Sequence, residues 1–219
     1  VGSEMCIRDS SDIGFILLQQ VVEAVTGKTL DAYLVSEFYR PMGLEHTLFQ
    51  PLNRYKKADI MPTAANDYLR RQDLCGYVHD EAAAFMGGVS GNAGLFSTAQ
   101  ELGKIYQMIL NEGELDGKRY LRPETCRIFT TEKSAVSHRG LGYDKPNLKD
   151  PKANACASSA PASVYGHTGF TGTCAWVDPT NGLVYVFLCN RIYPNVWNTK
   201  LMKMDIRTRI QEVMYQAVK

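Results

Sequence analysis

The segment "TGTCAWVDPTNGLVYVFLCN", residues 171 to 190, constrains this chain more than any other. Two apolar runs rich in β-branched and aromatic residues are separated by Asp178-Pro179-Thr180-Asn181-Gly182. Asn-Gly tolerates the left-handed backbone of a tight hairpin, so the two runs are expected to pair antiparallel. A turn closed near Asn181 sets residue 174 opposite about residue 187. The second run, "LVYVFLC", is apolar without alternation, which predicts a central strand buried on both faces. A further strand-like run precedes the hairpin. The expected strands are about 163–167, 171–177 and 183–189.

Helical patterns flank them. From Ser11 onward, Ile13, Ile16, Leu17, Val21 and Val25 recur at three-to-four spacing, and Gly27 supplies a stop. Thr29 is placed to cap a second helix through about Tyr39, closed by Pro41 and Gly43. Residues 44 to 86 read as an irregular excursion of the kind that frames a binding cleft. Ser97 with Gln100 fits a capping box for a helix whose buried stripe is Leu102, Ile105, Tyr106, Ile109 and Leu110, ended by Gly113. Pro123 opens a shorter helix. Residues 147–162 read as loop. Thr199 is expected to cap a terminal helix carrying Leu201, Met202, Ile206, Ile210, Val213 and Met214 on one side. Helices, then antiparallel strands, then a helix to cover them define an α+β class.

Charge and composition narrow the partners. With 45% hydrophobic and 21% charged residues, the chain can bury a core and does not read as disordered. A net charge of +1 gives no basis for a nucleic-acid or anionic-membrane partner. No stretch approaches the ~20 apolar residues of a membrane span. Outside residues 1 to 10, the cysteines Cys75, Cys126, Cys156, Cys174 and Cys189 are odd in number and lack CxxC spacing. A Cys174–Cys189 bridge would join diagonal neighbours about 7–8 Å apart, so buried free thiols are the expectation. His46, His79, His138 and His167 share no metal-ligand spacing, and no cofactor motif occurs, so neither metal nor cofactor is expected.

The chemistry concentrates in "YGHTGFTGT", residues 165 to 173. Gly166, Gly169 and Gly172 surround His167 with unobstructed backbone, and Thr168 adds a hydroxyl. A strand end of this kind can aim N–H donors at an oxyanion. It fits equally well a strand bulge beside a histidine satisfied by backbone. On these residues alone both readings stand.

The stretches "SDIGFILLQQVVEAVTGKTLDAYLVSEFYRPMGLEHT", "GGVSGNAGLFSTAQELGKIYQMIL", "LGYDKP" and "YGHTGFTGTCAWVDPTNGLVYVFLCNR" run in the order found in one family. With them the chain resembles the beta-lactamase-related, penicillin-binding-protein-like serine hydrolases and esterases, across residues 10 to 219. The resemblance implies a beta-lactamase/transpeptidase-like fold and acyl transfer through a serine of Ser-x-x-Lys and the tyrosine of Tyr-x-Asn. It also implies a third motif, Lys-Thr-Gly, which stands here as His167-Thr168-Gly169. His167, Thr168 and the backbone N–H of Phe170, which would serve the oxyanion hole, are the implied catalytic groups. Asp12, Gly169 and Thr171 are the implied substrate-binding groups, Asp12 matching the last position of Tyr-x-Asn. The implied substrate is a small or cell-wall-derived acyl donor, and the implied location is periplasmic or cell-envelope. "GGVSGNAG" is implied to line the cleft.

Several departures shape the expectation. No Ser-x-x-Lys occurs in these residues, and the tyrosine position reads Ser10. "VGSEMCIRDS" resembles translated sequencing adapter, which would make Ser10 a junction scar and residues 11–219 the C-terminal portion of a single hydrolase domain, inactive as given. "YPNVWNTKL" and "DIRTRIQEVMYQA" resemble members attached to a family 3 glycoside hydrolase module, a possible partner domain. Histidine in place of lysine, joined by Asp12 if it faces the same cleft, is expected to disfavour anionic acyl donors. The alternative reading is a non-catalytic module that binds cell-wall glycan or peptide. A complete 219-residue protein of new function is a third.

Overall fold

Local backbone chemistry places most of the helices where the pattern predicts them. The structure is a computed structural model describing residues 11–131, 138–150 and 154–218. The adapter-like stretch, Ser10 and Cys6 lie outside the described residues. The chain forms two compact units. One comprises residues through Glu101 together with Ile192–Trp197, the other Leu102–Arg191 together with residues from Asn198 onward.

The first unit opens with α1 (Asp12–Thr26), which Gly27 ends in the left-handed conformation at φ 66°. The helix is as expected, but its apolar stripe is not a buried one. Ile13, Leu17, Val21 and Val25 are 56–80% exposed, whereas Gln19 is 5% exposed. Gln19 bridges to Glu23, to the Val89 carbonyl and, through its own oxygen, to the Gly91 N–H at 2.9 Å. Helix α2 (Leu30–Leu34) continues into a wider π turn over Val35–Tyr39, and Thr29 makes no side-chain cap.

The excursion at 44–86 is more ordered than its sequence suggests. Strands β1 (Pro62–Asp67) and β2 (Gln72–Cys75) pair antiparallel with two register shifts, and α3 (Glu81–Phe85) follows, capped by the Asp80 carboxylate. Non-glycine residues Asn66 and Arg71 sit at φ 50°, and a proline opens β1, so neither alternation nor a glycine turn announces the hairpin. Ala64, Leu74 and Ile192 form its buried core.

Helix α4 (Ala99–Leu110) leads from one unit into the other. The capping box is corrected. Thr98 Oγ1 accepts the Glu101 N–H at 3.3 Å, while Ser97 Oγ bonds the Thr47 hydroxyl at 2.7 Å. The stripe predicted as buried is half-buried, and the buried residues of α4 are Glu101 and Met108. Gly113 closes the helix at φ 95°.

The second unit contains the short pair β3 (Glu114–Leu115) and β4 (Lys118–Arg119), helix α5 (Pro123–Thr130) with its proline in the first turn, and a three-stranded antiparallel sheet. Its strands are β5 (Tyr165–Thr168), β6 (Cys174–Asp178) and β7 (Leu183–Phe187), in the order β5-β6-β7. Cys174 faces Phe187, as turn geometry required. Asp178 accepts from the N–H groups of Thr180 and Asn181, and Gly182 takes φ 64°.

Two strand readings are corrected. Among the described residues the central strand is β6, buried at every position, and β7 lies at the edge with Tyr185 its one fully buried residue. The uninterrupted apolar run of β7 reflects two half-covered faces. The expected second strand also starts three residues late, because 169–173 is a turn: the Gly169 N–H binds Thr173 O at 2.8 Å and the Gly172 N–H binds Gly169 O at 3.0 Å. The terminal helix is broken at Asp205 (φ 48°) into α6 (Lys200–Lys203) and α7 (Ile206–Val218). Trp176, Val164, Cys156, Cys174 and Tyr185 form the core of this unit, with Met214 of α7 packed on it.

Candidate active site

β5 brings the histidine motif to one edge of the sheet. His167 and Thr168 pair with Ala175 and Cys174 of β6, and both side chains are half-buried. On the strand's outer side, Asp144 adds one rung. Its N–H binds the Gly166 carbonyl at 2.7 Å, and its carbonyl accepts the Gly166 N–H at 3.0 Å.

The turn after β5 is braced from β7's end of the sheet. The Arg191 N–H binds Thr171 O at 2.8 Å, its Nε binds Phe170 O at 2.8 Å, and its guanidinium stacks over the Phe170 ring at 4.5 Å. Arg207 Nη1 donates to Thr173 O at 3.2 Å. The peptide groups flanking Phe170 are therefore fixed, while the Phe170 side chain is 62% exposed. Gly172 is required twice over: it takes φ 106°, and a Cβ there would stand 2.7 Å from Cys189 Sγ and 2.6 Å from Leu201 Cδ2.

His167 carries contacts that sequence reasoning missed. Its Nδ1 lies 2.7 Å from Thr168 O, and its Nε2 lies 3.3 Å from Arg139 Nη1. A carbonyl only accepts and a guanidinium only donates, so one tautomer satisfies both: Nδ1 carries the hydrogen and Nε2 accepts. Arg139 in turn approaches Asp144, Nη2 to Oδ2 at 3.7 Å, and His138 Nε2 meets Asp144 Oδ1 at 3.0 Å. A permanent cation thus stands in contact with the histidine ring. A separation of 28 residues along the chain left no motif to find Arg139 by.

Tyr143 and Tyr165 pack edge to face at 5.2 Å, and burial pushes both phenols well above their ordinary range. Burial likewise raises the Tyr106 phenol to about 12. Among the described residues no cluster of metal-ligating side chains occurs.

The remaining candidates lie in the first unit. Asp12 is the exposed first residue of α1. "GGVSGNAG" meets α1: Gly91 packs so closely on the Phe15 carbonyl that a Cβ would overlap it. Ser90 and Asn92, hydrogen-bonded at 2.6 Å, line with Leu18, Val22 and Tyr39 a cavity of about 320 Å³. Gly91 therefore serves close approach to a helix.

A histidine-bearing edge strand in an antiparallel sheet backed by a C-terminal helix is the architecture of a penicillin-binding-type hydrolase fold. The Beta-lactamase family model matches residues 7–201, and the chain belongs to that family. A protein of Escherichia coli K12, provisionally named a D-alanyl-D-alanine carboxypeptidase, is 34% identical over 95% of this chain and 53% of its own length. The chain spans about half the length of the curated relatives it matches. Among solved structures, a beta-lactamase of Mycobacterium bovis is similar with TM-score 0.63 and 19% identity, over 95% of this chain and 63% of its own. The simvastatin synthase of Aspergillus terreus is similar with TM-score 0.61 and 17% identity, over 91% and 52%.

Proposed function

We propose that residues 11–219 are the C-terminal portion of a serine hydrolase domain that works through an acyl-enzyme on an ester, amide or peptide substrate. In this reading the portion carries the oxyanion-side wall and not the nucleophile. The observation that carries it is the His167-Thr168-Gly169 edge strand running into a turn whose peptides are pinned by Arg191. Such a wall steadies negative charge developing on a carbonyl through donors that need no rearrangement. The Phe170 N–H is the proposed oxyanion donor, with Thr168, Gly169 and Thr171 as the substrate-site residues beside it, and Asp12 of the first unit is proposed by itself as a substrate-binding residue.

Two further facts support a portion rather than a whole. The sequence contains no Ser-x-x-Lys. The apolar stripe of α1 is exposed, as expected of a helix that packs on a part of the domain not described here. A periplasmic or cell-envelope location and an attached glycoside hydrolase module belong to the same proposal.

The test is acylation. The 219-residue chain is expected to resist labelling by a fluorescent penicillin and by a fluorophosphonate, and to leave activated esters intact. A chimera joining the unmatched half of the E. coli relative to residues 11–219 is expected to label. Turnover by the chain alone refutes the reading. The missing Ser-x-x-Lys also favours a second reading, a module that binds peptide without cleaving it, and a chimera that folds and never labels would select it.

A further inference from the structure

We propose that the cavity of the first unit is a binding site for a small uncharged apolar molecule, of about the bulk of two fused rings, that carries one hydroxyl. The site lies wholly within that unit, and the proposal stands independently of the hydrolase reading.

Three segments wall the cavity, and polar bonds tie them together where side chains could otherwise have filled the space. From α1, Gln19 donates to the Val89 carbonyl at 3.4 Å and accepts from the Gly91 N–H at 2.9 Å, which fixes the glycine-rich loop beside the helix. Glu23, one turn further on, accepts from Gln19 and from the Leu30 N–H, both at 3.0 Å, which fixes the start of α2 on the same helix. Asn92 Nδ2 anchors the loop on Asp80 at 3.1 Å. Walls held in this way leave a pre-formed space of about 320 Å³.

The size and chemistry of the guest follow from the lining. The volume is about twice the roughly 150 Å³ that admits benzene, and it falls in the range of small-molecule sites. Gln19, Leu30, Tyr39 and Ser90 are its buried lining, while Leu18 and Leu95, 57% and 40% exposed, stand at the surface. Among the described residues that line it, none carries a charged side chain, so an ion would enter without a counter-charge. Ser90 sets the polar preference. Its hydroxyl spends its one hydrogen on Asn92 Oδ1 at 2.6 Å, so toward a guest it can only accept. Gln19 has both amide hydrogens committed, to Glu23 and Val89. A guest hydroxyl donates to Ser90 Oγ, whereas an ether brings no hydrogen to it.

The probe is 2-naphthol, followed through the ¹³C-methyl resonances of Leu30 and Leu34 in the 219-residue chain, and it is expected to shift both saturably. Its methyl ether should bind roughly three- to tenfold more weakly for want of one hydrogen bond. 2-Naphthoate should bind at least about tenfold more weakly, because its carboxylate finds no partner. Ala93→Leu, which adds bulk to the lining, should abolish binding. Ser90→Ala should erase the difference between naphthol and its ether and keep the penalty on naphthoate. The proposal is refuted if naphthol leaves the two methyls unmoved, if either control binds as tightly, or if binding survives Ala93→Leu. A naphthol preference that survives Ser90→Ala refutes it equally. Should one variant fail to fold, the wild-type ranking of the three probes and the other variant decide.

Discussion

Gly166 is where the site's geometry and the sheet's stability depend on the same missing methyl. A Cβ built there would stand 2.7 Å from Trp176 Cε3 and 2.8 Å from Trp176 Cα, and closer still to the Ala175 carbonyl oxygen. Two of these are backbone atoms of β6, the fully buried central strand, and cannot swing aside. Gly166→Ala must therefore push β5 off β6, against Trp176, which is 2% exposed. Overpacking of this kind costs about 1–3 kcal/mol. Strain on the two Gly166–Asp144 main-chain bonds adds about 1 kcal/mol, and the stiffer unfolded chain returns about 0.4–1 kcal/mol. The net is a loss of about 1–3.6 kcal/mol, which at a urea slope of roughly 2 kcal/mol per M lowers the midpoint by about 0.5–1.8 M. Urea unfolding followed by Trp176 fluorescence, with Trp197→Phe as the background to silence the exposed second tryptophan, measures it. Gly103→Ala is the control: it lies within α4, a Cβ meets nothing within 4 Å, and the change should stabilise by about 1 kcal/mol. A Gly166→Ala midpoint within about 0.3 M of its parent would refute the reasoning.

Acid should weaken the first unit through Glu101, whose carboxylate is 9% exposed. Burial raises its pKa, but donation from the Thr47 hydroxyl at 2.6 Å and from the His46 and Glu45 N–H groups outweighs that, and the net shift is downward. A carboxyl lowered in the folded state contributes stability that is complete above its unfolded range and is lost as pH falls through the folded value. Glu101→Gln should cost about 2 kcal/mol at pH 7 and flatten that acid limb, read by circular dichroism in urea at several pH values. An unchanged acid limb would count against the assignment. The thiols offer another check. Burial pushes Cys156 to about 12 and Cys174 to about 11. Thiolate fractions at pH 8 are then about 10⁻⁴ and 10⁻³, so iodoacetamide should leave both unmodified until urea is added, as mass spectrometry of the alkylated peptides would report. Native-state labelling of Cys174 at the unfolded rate would disprove the burial.

Features governed by a few adjacent residues were legible in the sequence. Asn181-Gly182 set the hairpin and put Cys174 across from Phe187 because turn geometry fixes register. Gly27 and Gly113 stopped their helices because each takes a left-handed backbone without penalty. The family motif was readable for the same reason, as contiguous residues in a fixed order. The β1–β2 hairpin escaped because its special backbone angles fall on Asn66 and Arg71 rather than on glycine. Thr98 rather than Ser97 caps α4, since Ser97 is drawn to Thr47, 50 residues earlier.

By itself, then, the sequence determined the α+β order of elements, the hairpin register and the family, all encoded in neighbouring residues or their succession. Tertiary structure alone decided which strand is central, that α1 buries a glutamine and exposes its leucines, and which charge stands beside His167. Arg139, Asp144 and His167 meet only because backbone pairing at Gly166 draws distant segments together, and no spacing along a chain records a contact made across a sheet edge.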